Sequence, residues 1–210
     1  MQHFNEATIK SWERFYKANF INCLSGFKSA SLIGTINKEG TTNLAIFSNI
    51  IHLGAEPALI AFQNRPLDAV QQTIKNIQAV GVYTINHIHP SFIYKAHQTS
   101  AKYAIDKSEF NEVQLTEEWK PTINAPFVAE SKIKYALSLV EIIPITHNKT
   151  FLVIGKVTDI FIDKSCIEAD GYLSLEKVNS VTSLGIDGYY TTEKLARYAY
   201  AKPSEQLKEI

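Results

Sequence analysis

Asn43, Ser48 and Asn49 place two amides and a hydroxyl among the apolar side chains Leu44, Ile46, Ile50 and Ile51. Polar groups in such a setting can hydrogen-bond a ligand while their neighbours exclude water. A sheet strand can also turn such residues to solvent or spend them on capping its ends, which asks nothing of function. The histidines are the second source of chemistry. His87 and His89 lie two apart at the end of an alternating run, and residues i and i+2 of a strand share a face. No acidic or Cys ligand is obviously grouped with them, so no metal site is expected. His97, Thr99 and Ser100 form either a donor group for an anion or the hydrogen-bonded end of a helix.

The elements that must position these residues follow from periodicity. The polar residues belong to a strand over 41–52 that follows the turn Asn37-Lys38-Glu39-Gly40. Before it, apolar residues at helical spacing predict a helix near 6–18, with Asn5 as N-cap and Glu6 in the first turn. Ala30 to Ile36 reads as a strand, and so does the apolar run Ala58 to Gln63. Leu67, Val70, Ile74 and Ile77 mark a helix that Gly81 ends. Val82 to Ile85 alternates as a strand, and Pro90 to Ala101 is read as a helix followed by a loop. Over 102–131 periodic signals are few, and 87–131 as a whole reads as an irregular excursion. Two long strands, Ile133 to Ile145 and Thr150 to Ile162, flank the turn 146–149. A short helix is expected over 172–178, ahead of a tail rich in Tyr. Strands outnumber helices and lack regular crossover helices, which favours an antiparallel barrel with peripheral helices.

Composition narrows the function classes. With 210 residues, 45% hydrophobic and 20% charged, the chain has material for one folded domain. Lys plus Arg equals Asp plus Glu at 21 each, which supplies no electrostatic footprint for nucleic acid or an anionic membrane. No apolar run reaches the ~20 residues of a membrane helix. Cys23 and Cys166 are far apart and lack Cys-x-x-Cys spacing, as expected of reduced thiols in a cytoplasmic protein. The sequence carries no Gly-x-Gly-x-x-Gly after a strand, no P-loop and no Gly-x-Ser-x-Gly elbow.

Asn43-Leu44-Ala45-Ile46-Phe47-Ser48 resembles the Asn-Leu-Ala-Pro-Phe/Tyr-Ser segment of the flavin reductase-like family, whose members bind FMN in a split β-barrel. The similarity continues through Arg65-Pro66, Thr73-Ile74-Lys75-Asn76-Ile77, Gly81-Val82-Tyr83-Thr84-Ile85-Asn86-His87, Ala96-His97-Gln98-Thr99-Ser100 and Ser108-Glu109-Phe110. It resumes at Ala125-Pro126-Phe127 and Asp187-Gly188-Tyr189-Tyr190, and so spans roughly residues 25 to 203. The resemblance implies an α+β, mainly β fold, an antiparallel split β-barrel with peripheral helices.

It also implies FMN as cofactor and hydride transfer from NADH or NADPH to the flavin, a chemistry intrinsic to the two ring systems. Asn43, Ala45, Phe47, Ser48 and Asn49 are then expected to form the flavin's wall and amide edge. Arg65, Thr73 and Ser100 are expected at the phosphate, and His97 with Thr99 and Ser100 at an anion or flavin edge. The family usually carries a basic residue shortly before the position of Thr73; here Gln71 and Gln72 stand there. Two other readings remain: an FMN-binding electron carrier or sensor without reductase turnover, and an oxidase of the pyridoxamine phosphate type. Split barrels of this kind place the flavin between two subunits, so a homodimer is expected, with an electron-accepting protein or a monooxygenase as partner.

Overall fold

The computed structural model describes residues 1–66 and 72–210. In chain order its elements are α1 (Glu6–Ser11), α2 (Arg14–Leu24), β1 (Lys28–Ser29), β2 (Ser31–Ile36), β3 (Thr42–Phe47), β4 (Ile50–Ala55), β5 (Ala58–Asn64) and α3 (Gln72–Val80). Then come β6 (Val82–His87), α4 (Ile93–Gln98), α5 (Glu109–Val113), β7 (Glu117–Lys120), β8 (Ile123–Val128), β9 (Ile133–Ile145), β10 (Thr150–Ile162), β11 (Thr182–Leu184) and β12 (Gly188–Tyr190). Leu67, Val70 and Gln71, on which part of the helix reading and the missing cation rest, lie outside the described residues.

Seven strands form one sheet in the order β3-β2-β6-β9-β10-β5-β4, and their recorded pairings are antiparallel. β3 and β4 are therefore the two edges, yet only Ser48 and Asn49 separate them in sequence. Three peptide units span at most ~11 Å, so the sheet must curl until its edges almost meet. Phe47 at the end of β3 accordingly packs its ring 4.9 Å from that of Phe62 on β5. The result is the expected split barrel, closed by a short link rather than by hydrogen bonds along its whole seam.

Side-chain alternation on β3 serves two cores. Leu44 and Ile46 face a cluster with Leu32, Phe92, Ala96 and Phe110, beneath α4 and α5. Phe47 faces the barrel interior with Phe62, Tyr83, Ile85 and Leu137. Asn86 is fully buried and ties strands together: its amide donates to the Leu32 carbonyl at 3.2 Å and its Oδ1 accepts from the Val128 N–H at 2.9 Å.

Several boundaries differ from expectation. The helix expected over 6–18 is two helices. Trp12 is extended, and Glu13 starts a second helix by accepting from the N–H groups of Phe15 and Tyr16 at 2.8 and 3.1 Å. Asn5 does cap the first, its Oδ1 accepting from the Thr8 N–H at 2.9 Å. The excursion over 87–131 holds α4, α5 and the paired strands β7 and β8. The helix expected over 172–178 is a 3-10 turn, Leu175–Val178. No described helix is long and apolar enough to cross a membrane.

Candidate functional site

The link Ser48–Asn49 lines a groove of about 390 Å³, within the range of small-molecule sites. Its polar lining residues are Lys28, Ser29, Ser48, Asn49 and Gln63; Phe27, Ile50, Ile51, Ile145 and Leu152 supply apolar wall. Register explains how distant segments converge. Gln63 on β5 pairs with Leu152 on β10, which pairs with Ile143 on β9, so these side chains share the outer face of the sheet. The Gln63 N–H donates to the Asn49 carbonyl at 3.2 Å, and the Asn49 amide reaches Gln63 Oε1 at 3.4 Å. The link is thereby held against β5.

Ser29 Oγ is buried without a hydrogen-bond partner, one of two such side-chain atoms among the described residues; the other is Tyr83 Oη. A buried hydroxyl left unpaired costs free energy. At the wall of a groove, that cost marks a place where a ligand can complete the bonding. An apolar wall with a hydrogen-bonding end suits a planar aromatic ring that carries amide-like groups along one edge, and the isoalloxazine of a flavin has this form.

The open edge of β3 offers further groups. The Leu44 N–H points away from β2 and donates to Glu109 Oε2 at 3.0 Å. In an antiparallel pair alternate residues face the same neighbour, so Ile46 also turns its N–H and C=O away from β2. Glu109 is buried, and burial raises its carboxyl above the usual range although the Leu44 N–H pulls the other way.

The residues singled out from sequence fall into three groups. Asn43 and Thr73 meet: the Asn43 amide donates to Thr73 Oγ1 at 3.1 Å, with both residues buried. Arg65 is exposed just after β5, and its carbonyl accepts from the Asn64 amide at 2.9 Å. Ser48 and Asn49 lie in the groove, and Ala45 is half-buried between the two sets. Phe47, expected in the flavin wall, is half-buried, and its ring packs against that of Phe62 in the barrel core.

The third group sits near α4. Thr99 is buried and donates to the Ala96 carbonyl at 2.8 Å, the bonded helix end that was the competing reading. Ser100 is exposed, and His97 Nδ1 lies 2.7 Å from the Tyr189 hydroxyl. Burial and the nearby Asp187 raise the Tyr189 phenol.

Sequence reasoning missed Lys28, Ser29 and Gln63. The only local signal was Gln63 itself, a polar residue ending an apolar run.

Comparison with known proteins adds to this geometry. Residues 25–175 match the flavin reductase like domain. The chain belongs to the flavin reductase-like family. Its fold superposes with a TM-score of 0.92 on a candidate flavin reductase with a split barrel domain from Shewanella frigidimarina NCIMB 400. That protein is 45% identical, and the match covers 96% of this chain and 100% of the other. Nitrilotriacetate monooxygenase component B from Bacillus cereus shares the fold at 20% identity and a TM-score of 0.82, over 94% and 98% of the two chains. Flavoredoxin of Desulfovibrio vulgaris (Miyazaki F) does so at 22% identity and 0.69, over 85% and 92%.

Proposed function

We propose that this protein binds FMN in the groove at the Ser48–Asn49 link and accepts a hydride there from NADH or NADPH. The observation that carries the reading is the unpaired, buried Ser29 hydroxyl at the polar end of an otherwise apolar groove. Bound FMN would supply the electron-accepting ring. The chain's own part is shape and polarity, because hydride transfer between two ring systems needs no acid or nucleophile from the protein.

The Ile46 N–H and C=O, with Ser48 and Asn49, hold the amide edge of the ring. Phe27, Ile51 and Leu152 keep water from its face. Arg65, exposed beyond β5, supplies charge for the phosphate, and Asn43 holds Thr73 Oγ1 in place.

The outer face around the groove supports a homodimer. Ile51, Ile143 and Ile145 are 42%, 38% and 37% exposed there. A second copy covering this face would close the flavin between two subunits. The aromatic residues near the chain ends carry less of this argument, since Trp12 packs against Phe4, Tyr16 and Phe20 of its own chain. The component B neighbour supports delivery of reduced FMN to a monooxygenase. The flavoredoxin neighbour supports a second reading, an electron carrier that holds FMN without reductase turnover. Two free cysteines, Cys23 and Cys166, favour a cytoplasmic setting.

Flavin titration followed by steady-state oxidation of NADH and NADPH, with and without added FMN, tests the proposal. Binding with rapid oxidation of either nucleotide is expected. Binding without oxidation would favour the carrier, and no binding of FMN would end both readings. Sedimentation showing a monomer at micromolar concentration would contradict the dimer.

A further inference from the structure

We infer that the two-residue strand β1, Lys28–Ser29, forms the second jaw of the flavin site and tunes the bound ring towards reduction. Ser29 hydrogen-bonds the ring's pyrimidine edge, and Lys28 places a cation beside it. The inference rests on the flavin reading above and adds residues that the family motif of β3 does not contain.

β1 is held by pairing with β11, Lys28 with Ser183 and Ser29 with Thr182, and β11 pairs in turn with β12. It belongs to a sheet separate from the barrel, yet it lines the same groove as the link Ser48–Asn49. A ring in the groove is thus met by two independent backbones. Phe27, the residue before β1, is anchored edge-on to Tyr190 of β12 with ring centroids 4.9 Å apart.

Chemistry assigns the roles. Ser29 Oγ has no hydrogen-bond partner among the described residues, so once turned into the groove it gains one from a carbonyl or N–H of the ring edge. Lys28 Nζ donates to the Asn22 carbonyl at 2.9 Å and makes no ion pair among the described residues. An ammonium has three donors. The Asn22 carbonyl occupies one, which leaves two donors on a residue that lines the groove.

Adding a hydride, two electrons and one proton, from a reduced nicotinamide to N5 of the oxidised ring leaves the donor cationic and one negative charge on the ring's pyrimidine half. A cation near N1 stabilises that charge without demanding a proton. Lys28 therefore binds the reduced ring more tightly than the oxidised one.

The experiment measures the midpoint potential of FMN and of riboflavin bound to wild type, Lys28→Gln and Lys28→Arg, beside their affinities for Ser29→Ala. Lys28→Gln should lower the preference for reduced over oxidised flavin about tenfold, ~30 mV for a two-electron couple. The shift should be equal for FMN and riboflavin, since the charge acts on the ring. Lys28→Arg should restore the wild-type potential. Ser29→Ala should weaken both flavins about fivefold. An unchanged potential in Lys28→Gln overturns the inference while leaving flavin binding standing. A loss confined to FMN also overturns it, because Lys28 would then read the phosphate. A wild type that binds neither flavin removes the flavin reading and this inference with it.

Discussion

Asn43 on β3 and Thr73 on α3 are joined by a 3.1 Å hydrogen bond between buried side chains, which fastens the barrel's edge strand to the helix beside it. Asn43→Ala leaves the Thr73 hydroxyl without this donor. A loss of about 1–2 kcal/mol of stability is expected, seen as a lower urea midpoint with an unchanged slope. If Asn43 acts on the flavin alone, the apoprotein will keep its midpoint and only FMN affinity will fall.

Arg65 tests the phosphate end. A charge-assisted contact removed by Arg65→Ala is of a type worth ~1.5–3 kcal/mol, so FMN should bind roughly 10- to 150-fold more weakly. Riboflavin, which has no phosphate, should be almost unaffected. Paired titrations of the two ligands decide it, and equal changes would place the phosphate elsewhere.

Gly155 and Tyr83 depend on each other. A Cβ built on Gly155 would lie well inside van der Waals contact with Tyr83 Oη. Gly155→Ala should destabilise by about 1–3 kcal/mol. Tyr83→Phe removes a hydroxyl that has no partner among the described residues, and should leave stability unchanged or raise it. Combined with Gly155→Ala in a double variant, Tyr83→Phe should recover part of the loss, because Tyr83 Cζ and Leu137 Cβ still lie 2.9 and 3.0 Å from the added Cβ. Additive effects of the two changes in a denaturation cycle would show that they do not meet.

His87 sets part of the acid limb. Burial lowers its ring from 6.5 to about 4, while its Nδ1 lies 2.8 Å from Ser180 Oγ. Between those two values the unfolded chain binds the proton and the folded one does not, so stability falls as pH drops through this window. His87→Gln should flatten that decline by on the order of 2 kcal/mol. Urea midpoints at pH 7.5 and 4.5 for both proteins provide the comparison, and parallel declines would assign the effect to other groups.

How much of this was legible in the sequence depends on how local each cause is. β9 and β10 follow the apolar runs over Ile133–Ile145 and Thr150–Ile162, because both runs end at the turn between them. The pair β7 and β8 was missed. β7 reads Glu-Glu-Trp-Lys, with Trp119 exposed and Glu118 bonded to Lys120 and to the buried Lys134, so it has no alternation to detect. Ser48 and Asn49 were visible as polar residues out of place. Ser29 and Gln63 were not, because only strand register and the curl of the sheet bring them to the link. Thr99 matched the family pattern and a helix end equally well, and its hydroxyl donates to the Ala96 carbonyl at that end.

The short link between β3 and β4 also governs how the barrel can move. Phe47 and Ile50 cannot separate beyond the reach of two intervening residues, whereas Thr42 and Ala55, at the far ends of the same strands, carry no such tether. Any breathing of the seam is therefore a hinge motion whose amplitude vanishes at Ser48–Asn49 and grows away from it. The groove lies at the pivot. The groove wall formed by Ser48 and Asn49 therefore stays in place while the rest of the seam opens and shuts.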